Sequence, residues 1–377
     1  MSQVCNPELQ ENEEFFGREL RSVYSPDVNH CQQLCTQHPS CSFFTFIQPD
    51  SGNEDRHFHC YLKSGTRTQS TLMGVTSGFS LKNCHLDPQP CLSQVYDGVD
   101  FSGGDYKTLF TSDYEGCQRV CTNDPHCQFF TFFNGSFESV NHRYKCHLKF
   151  SWTVPRSPWI KTVADLVSGF SLKIINSQPD TSKQTHTHKC QIKLFRNSEI
   201  LGNHTENLLA ASPEHCHALC TAHPQCTYFV YTSDNFNCYL KNNPDEIVLI
   251  ARDGFTSGIP GSTCQPDYNW AKRTITGVDF WGSDLSNLMA DSAEACQRAC
   301  TEDPLCQFFT YVTDRFAWRT IRRICYLKRI VTMPAPKKVS KLANAVSGFS
   351  LRKCVSGTAF TPTEQEEPFG ESEVVLL

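Results

Sequence analysis

The stretch that decides the fold is residues 31–46, which read CQQLCTQHPSCSFFTF. Its three cysteines have the spacing C-x3-C-x5-C, and an aromatic run follows closely. The same spacing recurs from Cys117, Cys216 and Cys296, so that successive copies begin 86, 99 and 80 residues apart. Self-similarity at such a period is the signature of tandem repeats, and the sequence therefore predicts four copies of one domain.

Each copy continues in the same order beyond this stretch. A fourth cysteine opens a Cys-Tyr/His-Leu-Lys segment, at Cys60, Cys146, Cys238 and Cys325. A Ser-Gly pair then closes each copy, at Ser77-Gly78, Ser168-Gly169, Ser257-Gly258 and Ser347-Gly348. Agreement at this many positions predicts four domains with the same internal architecture.

The local pattern of each copy predicts one helix and a sheet. Ser25-Pro26-Asp27 and Ser212-Pro213-Glu214 have the order of a helix start, with serine as N-cap, proline at the first helical position and an acid in the first turn. Proline cannot continue a helix, so each helix is expected to end at Pro39, Pro125, Pro224 and Pro304. The aromatic runs, the Cys-Tyr-Leu-Lys segments and the Ser-Gly-Phe-Ser-Leu segments are typical of strands. The predicted fold class is α+β, one helix on an antiparallel sheet, four times over.

The composition indicates an oxidising compartment. The chain has 377 residues and 22 cysteines, too many for a reduced cytosolic protein of this size. The net charge of −5 shows no bias toward nucleic acid, and no run of about 18 apolar residues predicts a membrane span. The first five residues show no secretion signal, so we expect a secreted chain with a mature or truncated start.

The order of these segments resembles that of the apple (PAN) domain. In the second copy it runs through Gly98-Val99-Asp100-Phe101, Cys117 to Cys127, Phe129 to Phe132, Cys146-His147-Leu148-Lys149 and Ser168-Gly169-Phe170. Four such domains in tandem are similar to the heavy chain of the plasma kallikrein and coagulation factor XI family, over residues 5–354. The resemblance implies an antiparallel sheet that cradles one helix and is stapled by disulfides.

The resemblance also implies a disulfide pairing, in which the first cysteine of a domain bonds the sixth, the second the fifth and the third the fourth. Carried over by position, it implies the bonds Cys5–Cys84, Cys31–Cys60, Cys35–Cys41, Cys117–Cys146, Cys121–Cys127, Cys190–Cys264, Cys216–Cys238, Cys220–Cys226, Cys296–Cys325 and Cys300–Cys306.

Two copies depart from this pattern. The second copy has Cys91 at its front, but Ile174-Ile175 stand where its closing cysteine is expected. The fourth copy closes with Cys354, but Trp270 stands at its front-cysteine position. Our hypothesis is that Cys91 and Cys354 bond each other and tie the second domain to the fourth. The alternative is intermolecular pairing in a homodimer, since factor XI is similar in dimerising through its fourth apple domain.

These boundaries divide the chain into six segments. The predicted domains and connections are apple domain 1 at 5–84, apple domain 2 at 91–175, a polar linker at 176–189, apple domain 3 at 190–264, apple domain 4 at 270–354 and an acidic tail at 355–377.

No catalytic constellation is visible in the sequence. The tail carries Glu364, Glu366, Glu367, Glu371 and Glu373, and is too short for the trypsin-like domain that a kallikrein-like chain would add. No Gly-Asp-Ser-Gly segment occurs. The His-Cys dipeptides fall on Cys31, Cys60, Cys127 and Cys216. All four are framework cysteines, and an oxidised cysteine is not a nucleophile. We therefore expect a protein that is not an enzyme.

Metal and cofactor sites are not indicated either. The C-x3-C pairs are better explained as disulfides than as zinc ligands, and His186 and His188 stand in the polar linker. Asn134-Gly135-Ser136 and Asn203-His204-Thr205 match the N-glycosylation sequon, which is consistent with secretion. The alternative for both is an unmodified polar loop.

Basic residues are concentrated near the end of the fourth copy. Between Cys306 and Cys354 there are eleven basic residues and one acid. The polyanion candidates among them are Arg319, Arg322, Arg323, Lys328 and Arg329. Such a concentration can hold sulfated glycans or an acidic partner. The alternative is a scattered solvated surface, because neighbours on a strand point to opposite faces.

The resemblance leaves two classes of function. The chain resembles the kalliklectins of fish, which are kallikrein-like heavy chains without a protease domain. This resemblance implies a mannose-type lectin of mucus or plasma. The alternative is a heavy chain that binds kininogen or polyanions such as heparin. Aromatic candidates for sugar contact are Trp152, Trp159, Trp281 and Trp318, and polar candidates are Asp100, Asp105, Asp279 and Asp284. A buried or strand-edge position is expected for each tryptophan and turn stabilisation for each aspartate, so the sequence does not place the site.

Overall fold

The computed structural model describes residues 5–84, 90–157, 159–173, 193–242, 247–260 and 268–354. Within these ranges each repeat contributes one ten-residue helix: α1 (Val28–Gln37), α2 (Tyr114–Asn123), α3 (Pro213–Ala222) and α4 (Ala293–Glu302). None of the helices in this part of the chain is long and apolar enough to span a membrane.

The N-cap of each helix is the residue four positions before the first cysteine of the repeat: Asp27, Asp113, Ser212 and Ser292. Its side chain accepts a hydrogen bond from a backbone N–H of the first turn, which has no partner inside the helix. The predicted start at Ser212 is confirmed. The predicted N-cap at Ser25 is wrong, because Asp27 takes that role and the Ser25 hydroxyl instead donates to Asp27 O at 2.7 Å. All four helices end two residues before the predicted proline.

The described strands are β1 (Leu9–Tyr24), β2 (Phe43–Ile47), β3 (His59–Phe79), β4 (Val95–Ser102), β5 (Asp105–Phe110), β6 (Phe129–Phe133), β7 (Lys145–Lys149), β8 (Ile160–Phe170), β9 (Lys193–Ile200), β10 (His204–Leu209), β11 (Tyr228–Thr232), β12 (Asn237–Lys241), β13 (Leu249–Ile259), β14 (Ile275–Phe280), β15 (Asp284–Met289), β16 (Phe308–Val312), β17 (Ile324–Lys328) and β18 (Lys338–Phe349). The predicted α+β class is thereby confirmed.

The first and third repeats each build a sheet from their own strands. The first sheet has the order β1-β3-β2, with Phe43 opposite both Lys63 and Phe79, so that β2 lies between the two arms of the long β3. The third has the order β10-β12-β11-β13-β9. We call these the first domain and the third domain.

The second and fourth repeats exchange their closing strands. One sheet has the order β4-β18-β6-β7-β5, and the other has the order β14-β8-β16-β17-β15. We call α2, β4 to β7 and β18 the second unit, and α4, β14 to β17 and β8 the fourth unit. The segments predicted as contiguous domains at 91–175 and 270–354 are therefore not the structural units, because each one completes its sheet with a strand from the other.

Side-chain contacts accompany this exchange. Ser347 of β18 and Thr131 of β6 are joined by a hydrogen bond of 2.8 Å between their hydroxyl oxygens. In the fourth unit the hydroxyls of Ser168 in β8 and Thr310 in β16 lie 2.9 Å apart. The Ser-Gly pairs that close the second and fourth repeats thus each contact the aromatic strand of the other of these two repeats.

The described cysteines are all paired. The bonds are Cys5–Cys84, Cys31–Cys60, Cys35–Cys41, Cys91–Cys354, Cys117–Cys146, Cys121–Cys127, Cys216–Cys238, Cys220–Cys226, Cys296–Cys325 and Cys300–Cys306. Cys190 and Cys264 lie outside the described residues, so their pairing stays a prediction.

The exchange gives a physical reason for the two departures from the cysteine pattern. Cys91 and Cys354 both belong to the second unit and bond there, with Cα atoms 4.5 Å apart. Trp270 belongs to the fourth unit, whose closing strand β8 leads to residues 174–175, outside the described residues. The second unit therefore has both cysteines of its closing bridge, whereas the fourth unit has Trp270 in place of its front cysteine.

Two connections carry the chain between the exchanging units. The first crossover (residues 150–157 and Trp159) leads from β7 to β8, and the second crossover (residues 329–337) leads from β17 to β18. Each is held by a buried histidine: His30 Nε2 lies 2.9 Å from Pro334 O, and His215 Nε2 lies 3.4 Å from Pro155 O. The first domain thus fixes the second crossover, and the third domain fixes the first crossover.

Candidate binding cavity

A cavity of about 610 Å³ lies between the two crossovers and both complete domains. This volume is within the range of small-molecule binding sites in proteins. The first crossover contributes Arg156, Ser157 and Trp159, and the second contributes Arg329, Ile330 and Val331. We call it the central cavity. It depends on the exchange, because the segments that connect the exchanging units form much of its wall.

Trp159 gives the central cavity an aromatic wall. Its side chain is 60% exposed, although it stands directly before β8. The edge of the sheet holds it in place, because Ile160 pairs with Phe280 and the N–H of Trp281 donates to Trp159 O at 2.9 Å. These bonds fix the backbone of Trp159, and its exposed indole is a suitable platform for the apolar face of a sugar ring.

The other three tryptophan candidates do not line the central cavity. Trp152 donates from Nε1 to the Glu206 carboxylate at 3.1 Å. Trp281 is 53% exposed, with Lys161 Nζ 3.9 Å from its ring centre, and Trp318 is 70% exposed. The expected buried or strand-edge position therefore fits Trp159 and Trp281, which stand directly before β8 and directly after β14, and is wrong for Trp318, which is exposed and adjoins no strand.

Amides and hydroxyls complete the polar part of the wall. Asn207 is exposed on β10, and Asn237 of β12 donates from Nδ2 to Tyr239 Oη at 3.2 Å. Ser157 donates to Leu209 O at 3.4 Å, and Ser283 lies near Arg329, whose N–H it accepts through its carbonyl at 3.0 Å. Such groups can donate to and accept from the hydroxyls of a bound saccharide.

The charge of the wall comes from arginine. Arg21, Arg156 and Arg329 line the central cavity, and no Asp or Glu side chain of the described ranges does. Arg329 is 3% exposed and donates to Gln37 O at 3.1 Å and to Leu305 O at 2.9 Å, so it joins the first domain to the fourth unit. Burial lowers the pKa of Arg329 to about 10, against the opposing effect of Asp303.

The pKa of His38, which also lines the central cavity, is affected by the same positive charge. Burial, followed by the charges of Lys82 and Arg21, lowers the pKa of His38 from 6.5 to about 4. Burial and the charge of Arg329 likewise lower the pKa of Lys82 to about 8. His38 is therefore neutral at neutral pH, and the arginines supply the charge of the central cavity.

The five basic residues predicted to bind a polyanion differ in their exposure and in their polar partners. Lys328 and Arg329 are each 3% exposed, and Lys328 Nζ lies 2.5 Å from Asp284 Oδ1. Two members of the set are therefore wrong as ligands of an external polyanion, because their charges are buried and have polar partners. Arg322 donates to Phe316 O at 2.6 Å and Arg323 pairs with Asp291, whereas Arg319 is exposed.

The aspartate candidates stabilise the sheets rather than forming a pocket. Asp105 accepts from Lys149 at 2.7 Å, and Asp100 accepts from Thr131 at 3.0 Å. Burial raises the pKa of Asp105, but hydrogen bonds from His147 and Lys149 outweigh that effect and lower it to about 2. Asp279 and Asp284 do not line the central cavity.

The remaining predicted positions are distributed over the surface. Asn203 is exposed between β9 and β10, and Asn134 is half-buried with its Oδ1 accepting from Ser136 N at 2.8 Å. His186 and His188 lie outside the described residues. Within the described ranges no group of three or more His, Cys, Asp and Glu side chains is placed to hold a metal ion.

Sequence reasoning missed most of the cavity. Four of its wall residues belong to no motif: Arg21 of the first repeat, Arg156 of the second, and Asn207 and Asn237 of the third. Their proximity follows from the exchange, which no local pattern encodes.

Comparison with known proteins gives the family. One sequence model of the PAN domain matches residues 99–149 and 278–328, and a second matches residues 5–84 and 190–260. The chain therefore belongs to the PAN domain family, as the resemblance predicted. The matches to the second and fourth repeats end at Lys149 and Lys328, where the crossovers begin.

Individual relatives extend over most of the chain. It is 30% identical over 357 residues to coagulation factor XI of Bos taurus, which covers 90% of this chain and 55% of the relative. It is 25% identical over 316 residues to micronemal protein 4 of Toxoplasma gondii, which covers 81% of this chain and 47% of the relative. The chain thus spans about half the length of these relatives.

Among solved structures, the chain is similar to the two N-terminal apple domains of Toxoplasma gondii microneme protein 4. The match has a TM-score of 0.16 and 20% sequence identity, and it covers 40% of this chain and 81% of that one.

Proposed function

We propose that this protein is a secreted, non-catalytic carbohydrate-binding protein, a mannose-type lectin of mucus or plasma, and that its saccharide binds in the central cavity. The observation that supports this most is the exposed face of Trp159 beside the polar side chains of Asn207 and Asn237. An aromatic face with a few fixed polar groups is the arrangement that sugar recognition requires.

Two further observations support secretion and a binding role. The sequon residue Asn203 is exposed, so a glycan there would extend into solvent. The described cysteines are all oxidised, as expected of an extracellular protein. Binding one saccharide between rigid, disulfide-stapled domains needs little reordering of the protein, which favours affinity.

Retention on mannose-agarose with elution by free mannose tests this function. We expect the unmodified protein to be retained and Trp159→Ala to lose at least about tenfold in affinity, because stacking on the indole is removed. Trp318→Ala is the matched control, since Trp318 is 70% exposed and does not line the central cavity. The proposal would be contradicted if Trp159→Ala and Trp318→Ala lost affinity equally. It would also be contradicted if the unmodified protein bound neither mannose-agarose nor any glycan on an array.

The alternative is a heavy chain of the kallikrein and factor XI type that binds kininogen or polyanions such as heparin. The 30% identity to coagulation factor XI favours it. A pull-down on kininogen with no retention on any glycan would support this alternative. Heparin binding that is lost in Arg319→Ala would assign the polyanion to Arg319, one of two exposed members of the predicted basic set; the other, Arg323, pairs with Asp291.

A further inference from the structure

The central cavity has positive charge that its own wall does not neutralise. Arg21 and Arg156 take part in no ion pair among the described residues, and Arg329 bonds only to carbonyl oxygens. Burial and the charge of Arg21 lower the pKa of Arg156, while Glu206 opposes them. Glu206 is itself engaged by Trp152 Nε1 at 3.1 Å and lies 3.6 Å from His223 Nε2.

One donor in this wall has no partner. The Nε–H of Arg156 is buried and makes no hydrogen bond within the described part of the chain. An unsatisfied buried donor on a charged group is costly, and a ligand acceptor would remove that cost. A guanidinium offers two parallel N–H groups that match the geometry of a carboxylate or a sulfate.

We propose that the central cavity binds an acidic saccharide, whose carboxylate or sulfate lies against Arg156 and Arg21 while a sugar ring packs on Trp159. This inference rests on the proposed carbohydrate-binding function, but it assigns an acidic saccharide, in place of mannose, as the preferred ligand of the central cavity. A hydroxyl of a neutral hexose such as mannose can also accept from Arg156, but a neutral acceptor bonds more weakly than a carboxylate or sulfate, so mannose is the weaker ligand of this cavity.

Isothermal titration calorimetry on the full chain tests this ligand class. The probes are N-acetylneuraminic acid and glucuronic acid for the carboxylate, a heparin-derived disaccharide for the sulfate, and methyl mannoside as the neutral sugar. We expect at least one acidic probe to bind about tenfold more tightly than the mannoside, because a charge-assisted bond is stronger than a neutral one.

Two variants and one control assign the charge to the cavity. Arg156→Gln and Arg21→Gln are each expected to lower the affinity for the acidic probe by about tenfold, and by a larger factor than they lower the affinity for the mannoside. Arg315→Gln is the control, because Arg315 is exposed and does not line the cavity. Thermal unfolding checks each variant, and Arg21→Gln decides if Arg156→Gln does not fold, since Arg21 is exposed.

The outcomes separate this inference from the proposed function. Binding of the mannoside alone, with loss in Trp159→Ala, would uphold carbohydrate binding and overturn the acidic ligand. Acidic binding that neither arginine variant changes would also overturn it. Absence of binding to every saccharide would overturn both.

Discussion

At the residue scale, His215 shows how a framework position serves the assembly. It precedes the first cysteine of the third repeat, it is fully buried, and its Nδ1 accepts from Ala211 N at 3.0 Å. Its proton therefore resides on Nε2, which faces Pro155 O of the first crossover. Its ring stacks on Trp270 of the fourth unit with centroids 4.9 Å apart. His30 occupies the equivalent position in the first repeat and faces Pro334 O of the second crossover.

Burial makes the stability of this contact depend on pH. It lowers the pKa of His215 from 6.5 to about 4, against a hydrogen bond to Pro155 O that raises it. The unfolded chain therefore binds a proton that the folded chain does not, and stability falls as the pH decreases from 6.5 toward 4. Between about pH 7.5 and about pH 5 we expect His215 to account for a loss on the order of 2 kcal/mol in unfolding free energy.

Denaturant unfolding of the wild type and His215→Gln at both pH values measures this contribution. The other buried histidines titrate in the same direction, so the difference between the two proteins isolates His215. We expect the pH dependence to be smaller in the variant. An unchanged dependence would show that His215 is not held neutral in the fold.

At the element scale, the Ser-Gly pair is explained by the aromatic strand beside it. A Cβ on Gly169 would lie 2.9 Å from the ring of Phe309, and one on Gly348 would lie 3.0 Å from the ring of Phe130. The glycine lets an aromatic ring cover the backbone of the closing strand. We expect Gly169→Ala to lower the unfolding free energy by about 1–3 kcal/mol through overpacking.

Chemical denaturation compares this variant with Gly52→Ala, where an added Cβ meets no atom within 4 Å. The control is expected to be neutral. If Gly169→Ala were as stable as Gly52→Ala, the packing of β8 against β16 would be contradicted.

The same elements show what sequence can predict. The four helices and the three strand segments of each repeat follow from local signals and are confirmed, although Asp27 rather than Ser25 caps the first helix and each helix ends two residues before its proline. The strand exchange could not be predicted from local signals. The segments Ser168-Gly169-Phe170 and Ser347-Gly348-Phe349 are identical in sequence, so either could complete the sheet of the second or of the fourth unit. Only the unmatched Cys91 and Cys354 indicated a link between the repeats. The central cavity could not be predicted, since its wall is assembled by that link.

At the scale of the whole molecule, the exchange joins the two halves of the chain. The first domain packs on the second unit, where the ring of His30 stacks on Phe349 at 5.3 Å. The third domain packs on the fourth unit in the corresponding way. The two exchanged strands then connect these pairs, and the Cys91–Cys354 bond within the second unit closes a separation of 263 residues. In the loop-entropy account, so long a closed loop restricts the unfolded chain strongly.

The exchange of β8 and β18 is the central claim, and native size-exclusion chromatography after chain cleavage tests it most directly. A protease site is placed within residues 176–189 of a Cys91→Ser/Cys354→Ser variant, so that no disulfide of the described residues joins the two pieces. The exchanged strands predict that the cleaved protein elutes as one species and separates only in denaturant. Elution of two separate fragments under native conditions would contradict the exchange, and with it the central cavity.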